Sequence, residues 1–162
     1  MNRLWTPWRM PYLRGEDKRP DGCVFCNKLC CSDEKEHILY RGEQCYVTLN
    51  RYPYSNGHLM VIPNVHVSSL EDLDELTLSE MMQVVNLSLA ALREAYAPHG
   101  FNVGVNLGKA AGAGIAEHVH MHVVPRWTAD TNFMPVVGST RVIPELLDDA
   151  YARLKLHFCE GG

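Results

Sequence analysis

Residues 118–124 read HVHMHVV, so three histidines alternate with apolar residues. Successive side chains of a β-strand point to opposite faces of a sheet, so the pattern predicts a strand with its imidazoles on one face, about 6.5–7 Å apart. The apolar side chains then point into the core. Three imidazoles in a row can bind a metal ion, line a phosphate pocket or lie on a solvated face. The chain must therefore build a sheet with one buried face and one face that carries the histidines.

Three further segments predict neighbouring strands. Short β-prone runs at 36–40 and 45–49 are separated by a turn and indicate a hairpin. Residues 58–62 predict a buried strand that ends at Pro63, which has no N–H to continue the ladder. Residues 101–107 predict another strand. We therefore expect a mostly antiparallel sheet.

Two helices are expected to cover this sheet. Thr77 and Glu80 fit a capping box with Thr77 as the cap, and apolar residues then recur at helical spacing over 77–97. A final helix is predicted over 144–156, with a proline at its first position. An antiparallel sheet with helices packed on it is an α+β fold.

Composition excludes several classes of protein. The chain has 15 Lys and Arg against 19 Asp and Glu, a formal net charge of −4, whereas a nonspecific nucleic-acid binder is normally basic. No apolar run reaches the ~20 residues that a membrane span needs, and the first ten residues lack the apolar stretch of a signal peptide. We therefore expect a cytoplasmic protein without nucleic-acid or membrane partners.

A loop rich in small residues precedes the histidine strand. Residues 106–114 read NLGKAAGAG, so backbone N–H groups lie open to a close ligand and Lys109 adds one positive charge. Such a loop indicates a phosphate site, although it also suits a flexible crossover between strands.

The cysteines are concentrated near the start of the chain. Cys23 and Cys26 form a C-x-x-C pair, which is half of a tetrahedral zinc site. Two more ligands are needed, and Cys30 or Cys31 are candidates. Alternatively the whole cluster consists of reduced thiols, as expected in a reducing compartment.

These motifs together resemble a known family. The sequence HVHMHVV matches the histidine-triad motif of the HIT superfamily of nucleotide hydrolases and transferases. The resemblance covers most of residues 20–127, and its other matching positions are Leu49-Asn50, Gly57-His58, Val61-Ile62-Pro63, Asn106-x-Gly108 and Pro125-Arg126. Segments at 4–13, 99–107, 116–127, 132–133 and 142–144 resemble the branch that contains bacterial diadenosine tetraphosphate phosphorylases of mycobacterial type. The resemblance implies a HIT-like fold.

The resemblance also implies roles for individual residues. His120 would attack the α-phosphorus and form a nucleotidyl-histidine, and His122 would hydrogen-bond the phosphate or the bridging oxygen. Nucleotide and phosphate contacts would come from Asn50, His58, Asn106, Gly108, Lys109, Gly112, Ala113 and Gly114, together with His122. Many relatives carry Gln and Ser or Thr just before the triad, whereas residues 113–117 here read AGIAE. Backbone amides and Lys109 would therefore replace side-chain contacts to phosphate.

Zinc-bearing HIT proteins resemble this chain at the cysteine pair. In them a histidine after a strand and the first histidine of the triad complete the site, and the matching positions here are His66 and His118. The resemblance therefore implies a structural Zn²⁺ bound by Cys23, Cys26, His66 and His118, with no metal needed for catalysis. We divide the chain into an arm at 1–20, a core with the zinc knuckle at 21–130 and a helical extension at 131–162 within the same globule.

The expected activity is cleavage of a dinucleoside polyphosphate at the α-phosphate, with inorganic phosphate or water as acceptor. Hydrolysis of purine nucleoside phosphoramidates is an alternative, because the same residues would serve. A nucleotide-binding interaction protein with little turnover is a second alternative, and a metal-dependent hydrolase with all three triad histidines on one ion is a third. The resemblance further implies a homodimer or larger homo-oligomer, and the helix at 77–97 is a candidate interface.

Overall fold

A computed structural model describes residues 22–130 and 145–159, apart from the side chain of Cys159. The arm predicted over 1–20 and the family matches at 132–133 and 142–144 lie outside these residues. The proline predicted to begin the last helix, Pro144, lies outside them as well.

The sheet has five strands: β1 (Ile38–Arg41), β2 (Cys45–Leu49), β3 (Leu59–Pro63), β4 (Gly100–Val105) and β5 (Met121–Arg126). They lie in the order β1-β2-β3-β5-β4, and each neighbouring pair is antiparallel. The predicted mostly antiparallel sheet is therefore confirmed.

The histidine strand begins later than the prediction of 118. Regular pairing in β5 starts at Met121, because the N–H of Val119 donates to the carbonyl of Val67 instead of to a neighbouring strand. The predicted alternation nevertheless holds. Val119 and Val123 are buried in the main core, while His122 pairs with Met60 on the opposite face of the sheet. Alternation thus persists through an irregular segment that leads into the strand.

The first strand is also shorter than predicted. It starts at Ile38 because Glu36 ends a short helix, α2 (Asp33–Glu36). His37 then adopts a left-handed conformation, with φ of 54°, which separates the helix from the strand. An earlier helix, α1 (Val24–Leu29), begins directly after Cys23.

The long helix, α3 (Glu75–Tyr96), begins two residues before the predicted cap. Asp74 is the cap, and its carboxylate accepts the N–H of Thr77 at 2.7 Å. The prediction of Thr77 as the cap is therefore wrong, since a better acceptor lies three residues earlier. Glu80 instead accepts the N–H groups of Gln44 and Cys45 at 2.9 and 3.2 Å, which fastens the β1–β2 turn to the helix.

The last helix, α4 (Leu147–Cys159), begins three residues later than predicted and packs beside α3 on the same face of the sheet. The main core lies between these helices and the sheet and includes Val61, Leu92, Val123 and Leu154. The opposite face carries a smaller buried cluster, the α1 cluster, formed by Phe25, Ile38, Tyr46, Met60 and Ile62.

Charged groups tie α4 to the edge of the sheet. Asp33 accepts from Arg41 Nε at 2.7 Å and from Lys155 Nζ at 3.3 Å, and Lys155 also donates to the carbonyls of Ile38 and Leu39. Burial raises the pKa of Asp33, but hydrogen bonds and positive charge from Arg41 and Lys155 outweigh it and hold the pKa below its usual value.

Candidate active site and metal centre

The three histidines of residues 118–122 contact different partners. His118 turns its Nδ1 towards Cys23 Sγ, 3.2 Å away, while His120 and His122 lie side by side with ring centroids 4.9 Å apart. Among the described residues, the group able to hold a metal ion includes His118 but neither His120 nor His122. The geometry therefore offers no support for the alternative in which all three imidazoles bind one ion.

His120 is held in one tautomer by its own backbone. Its Nδ1 lies 2.9 Å from the carbonyl oxygen of His118, and a carbonyl only accepts, so Nδ1 carries the proton. Burial lowers the pKa of His120, and the bond to the carbonyl only partly opposes that shift. The ring is therefore neutral at neutral pH, with a lone pair on Nε2. This is the protonation state that a nucleophile needs.

His122 receives its orientation from a second chain of hydrogen bonds. The backbone N–H of Tyr54 donates to Nδ1 of His58 at 3.0 Å, so in the neutral ring the His58 proton lies on Nε2. Nε2 of His58 lies 3.0 Å from Nδ1 of His122 and donates to it. The proton of a neutral His122 is consequently on its own Nε2. The two neighbouring imidazoles thus present a lone pair on His120 and an N–H on His122.

Two of the predicted nucleotide contacts, Asn50 and His58, lie in or beside this chain of hydrogen bonds. His58 is fully buried and lies behind His122, to which its Nε2 is hydrogen-bonded. Asn50 lies with Nδ2 3.4 Å from both ring nitrogens of His58, and its Oδ1 accepts the N–H of Tyr52 at 2.9 Å.

The glycine-rich loop joins β4 to β5. Gly108 and Gly112 have φ angles of 79° and 91°, which favour glycine, and they flank a single 3₁₀ turn, Lys109–Ala111. The N–H groups of Gly112 and Ala113 donate to carbonyls of Lys109 and Gly108 within this turn. In this conformation those two amides are already engaged. Most of the predicted phosphate contacts here, Gly108, Lys109, Gly112 and Gly114, are exposed, while Asn106 and Ala113 are half-buried.

Four predicted metal ligands come together on the side of the sheet that carries α1. Ligand atoms of Cys23, Cys26, His66 and His118 all lie within 4.8 Å of one another. His118 Nε2 donates to the carbonyl of Pro63 at 2.9 Å, which leaves the Nδ1 lone pair directed at the two sulfurs. The four residues can therefore hold a metal ion.

The two other cysteines near this group do not join it. Cys31 Sγ lies 3.5 Å from the carbonyl of Asn27 and donates to it, and Cys30 is exposed. Within the described residues the metal-ligand group is limited to the four residues named above. The geometry therefore favours the two histidines over Cys30 or Cys31 as partners of the cysteine pair.

A HIT domain model matches residues 32–129 of the chain. The chain belongs to the HIT family. A protein from Mycobacterium tuberculosis named AP-4-A phosphorylase is 44% identical to this HIT protein over 156 residues, which cover 92% of this chain and 80% of the relative. An Arabidopsis thaliana protein named as an adenylylsulfatase is 35% identical over 108 residues, covering 67% of this chain and 54% of that protein.

A solved structure shares the fold of this HIT protein. A zinc-bound histidine triad family protein from Mycobacterium smegmatis superposes with a TM-score of 0.70 and 29% identity, covering 86% of this chain and 94% of that one. The predicted HIT-like α+β fold is confirmed. No helix among the described residues of the HIT protein is long and apolar enough to span a membrane.

Two residues of the site were missed by the sequence analysis. Phe25 lies between the two cysteines of the pair and contacts the rings of His118 and His120. Tyr54 supplies the N–H that orients His58, and its ring lies 4.8 Å from the His58 ring. A position inside a C-x-x-C pair was a possible signal for Phe25, whereas nothing in the local sequence pointed to Tyr54.

Proposed function

We propose that this HIT protein cleaves dinucleoside polyphosphates at the α-phosphate by way of a nucleotidyl-histidine, with phosphate or water as acceptor. One observation carries the proposal, namely the neutral His120 with its lone pair on Nε2 beside a His122 whose Nε2 carries a proton. The 44% identity to a protein named AP-4-A phosphorylase supports the same substrate class.

The reaction proceeds in two displacements. Nε2 of His120 attacks the α-phosphorus, and the bond from that phosphorus to the bridging oxygen breaks while the Nε2–H of His122 donates a hydrogen bond to the leaving oxygen, which departs on the polyphosphate anion. The acceptor, phosphate or water, then bonds to the α-phosphorus and gives up its proton to solvent, and the bond from phosphorus to Nε2 breaks to release His120. With diadenosine tetraphosphate the first step yields ATP and adenylyl-His120. The second step yields ADP with phosphate as acceptor, or AMP with water.

Contacts that hold the nucleotide are part of the same proposal. Asn50 would bind the ribose. The loop after β4 would hold the phosphates through the side chains of Asn106 and Lys109 and through the backbone amides of Gly108, Gly112, Ala113 and Gly114. Gly112 and Ala113 donate within the loop, so they serve phosphate only if the 3₁₀ turn opens. Amides aimed at the equatorial oxygens stabilise the charge that develops there.

Product analysis tests this function. We expect ATP and ADP from diadenosine tetraphosphate with phosphate present if phosphate is the acceptor, and ATP and AMP without phosphate if water is. His120→Ala should abolish turnover and still bind nucleotide. Full activity of that variant would refute the mechanism. Faster turnover of adenosine phosphoramidate or adenylyl sulfate than of diadenosine tetraphosphate would assign the site to those substrates, and binding without turnover would indicate an interaction protein.

We further propose that the metal ion is a structural zinc. Zinc bonds of about 2.0–2.1 Å to nitrogen and 2.3 Å to sulfur in a tetrahedron separate neighbouring ligand atoms by about 3.3–3.8 Å. The separations in the structure lie in or just below this range: 3.2 Å from Cys23 Sγ and 3.6 Å from Cys26 Sγ to His118 Nδ1, 3.5 Å from Cys26 Sγ to His66 Nδ1, and 3.3 Å between the two Nδ1 atoms. Such an ion would hold α1 against the segment that leads into β5.

Metal analysis tests the zinc proposal. Protein purified without added metal should contain about one zinc per chain, and Cys23→Ser should lose it while Cys31→Ser, its matched control, retains it. Zinc content below about 0.2 per chain, unchanged by Cys23→Ser, would refute the site. Rapid chelation in the assay should spare turnover until the structural ion is lost, whereas immediate loss would indicate catalysis by a metal.

A homodimer or larger homo-oligomer in the cytoplasm completes the proposal. Strand β4 is at the edge of the sheet, and residues 102–104 on it are exposed, including Val103 at 44%. The long helix α3 also exposes Met82, at 50%. An open edge and exposed apolar side chains support association of two copies. Light scattering on a size-exclusion column measures the mass, and a monomer at micromolar concentration would refute this part.

A further inference from the structure

Phe25 connects the metal centre to the nucleophile. It lies between Cys23 and Cys26 in the first turn of α1, and only 3% of it is exposed. Its ring centroid is 4.9 Å from that of His120 at an interplanar angle of 56°, and 5.5 Å from that of His118, edge to face. The side chain of Phe25, which lies between the two cysteines, therefore contacts both His118 of the metal-ligand group and His120, the proposed nucleophile.

The position of the Phe25 ring depends on how α1 is held. This helix has six residues, and a helix so short has no stability of its own. The hydroxyl of buried Tyr46 donates to the carbonyl of Phe25 at 2.8 Å, and the ring packs in the α1 cluster. The sulfurs on either side of Phe25 in sequence belong to the metal-ligand group. These restraints fix the ring relative to β5.

Two contacts restrain the His120 ring, and both connect it to the metal-ligand group. Its Nδ1–H bonds to the carbonyl of His118, whose own ring is a member of the metal-ligand group. One hydrogen bond at one ring nitrogen still allows the imidazole to rock about its side-chain bonds. Phe25 packs against the ring and opposes that motion. Nε2 must hold its direction within about 10–20° for an in-line attack.

We propose that Phe25 is a positioning residue through which the Cys23, Cys26, His66 and His118 group holds the His120 ring in its nucleophilic orientation and tautomer. The proposal rests on the proposed function in one respect, the role of His120 as nucleophile. Loss of the Phe25 ring then weakens the Nδ1–H bond to the His118 carbonyl and lowers the rate of attack. It leaves nucleotide affinity largely unchanged.

The test compares Phe25→Leu with Ile38→Val in the zinc-loaded protein. Ile38 belongs to the same α1 cluster but lies on β1, which is separated from β5 by two strands, β2 and β3. Nitrogen-15 spectra of the imidazoles show which ring nitrogen carries the proton, without any substrate. We expect a single Nδ1–H form of His120 in the wild type and in Ile38→Val, and averaged or broadened signals in Phe25→Leu.

The kinetic arm uses a single turnover of diadenosine tetraphosphate. Adenylation of His120 should slow by about tenfold or more in Phe25→Leu, with nucleotide Kd within about twofold of the wild type, and Ile38→Val should match the wild type. If Phe25→Leu does not fold, Phe25→Met fills similar volume without a rigid ring and takes its place. Zinc-depleted wild type should show the averaged His120 signals as well.

A Phe25 variant with wild-type His120 spectra and a wild-type adenylation rate would overturn the proposal. Zinc-depleted protein with an unchanged His120 spectrum would overturn the link between the ring and the metal-ligand group. If the wild type does not turn over this substrate, the proposed function fails, but the spectra still decide the role of Phe25. The two failures are therefore distinguishable.

Discussion

Replacement of His58 tests the hydrogen-bond chain that orients His122. His58 is fully buried, and its two nitrogens join the backbone N–H of Tyr54 to Nδ1 of His122, both at 3.0 Å. His58→Leu removes the donor to His122 while keeping an apolar side chain of similar size. Nδ1 of His122 is then able to take the proton itself, and the Nε2–H that serves the leaving group is no longer assured.

The magnitude follows from that one interaction. A hydrogen bond to a charged group contributes about 1.5–3 kcal/mol, which corresponds to a fall in kcat of about 10- to 150-fold. KM should change little, because the bond to the leaving oxygen strengthens only in the transition state. The Tyr54 N–H also loses its acceptor, at a cost of about 1–3 kcal/mol to the free energy of unfolding. Assays must therefore be run well below the measured unfolding midpoint.

A matched variant and a second substrate make the test sharper. His58→Gln carries an N–H donor at the end of its side chain and should recover most of the lost kcat. An acidic phenol leaves readily without a hydrogen-bond donor, so His58→Leu should slow the cleavage of an adenylate ester with such a leaving group far less. Refutation would come from His58→Leu with wild-type kcat on diadenosine tetraphosphate, or from equal losses on both substrates.

Three further predictions concern stability and reactivity. Glu80→Ala should lower the free energy of unfolding by about 1–3 kcal/mol in urea titrations, because the N–H groups of Gln44 and Cys45 lose their acceptor; an unchanged midpoint would contradict this. Burial, reinforced by the Glu80 carboxylate, raises the pKa of Cys45 to about 12, so mass spectrometry after brief maleimide treatment at pH 8 should find exposed Cys30 labelled and Cys45 intact. The pKa of Asp33 is lowered in the folded state, so its contribution to stability is present above the unfolded pKa of about 3.9 and is lost as pH falls through the folded pKa. Asp33→Asn should destabilise at pH 7 and flatten the acid limb of the stability profile, and parallel acid limbs would count against that ion pair.

Much of the fold followed from local patterns. Alternation over 118–124 depends only on the geometry of an extended chain, and it survived even where regular pairing is absent before Met121. The ends of elements were less predictable, since Asp74 displaced Thr77 as the cap of α3 and the Val67 carbonyl took the N–H of Val119. Competition between nearby acceptors decides such ends, and a one-dimensional pattern does not rank those acceptors.

The candidate site was also predictable from the sequence only in part. The pair Cys23 and Cys26 is close in sequence, so its two sulfurs are near each other in any helical turn. His118 lies 95 residues from Cys23 along the chain, and only the resemblance to zinc-bearing relatives suggested that they meet. His58 was predicted as a nucleotide contact, and only the structure shows that it is also hydrogen-bonded to His122, 64 residues away.

The sequence by itself determined which chemistry is available: imidazoles on one face of a strand, a pair of thiols and a glycine-rich loop. The tertiary structure alone decided which ring nitrogen of His118 and of His122 carries the proton, and that Phe25 lies against His120. The physical reason is that a tautomer is set by the partner of the other ring nitrogen. For His122 and His118 that partner is far away in sequence and lies nearby only once the strands have assembled into the sheet.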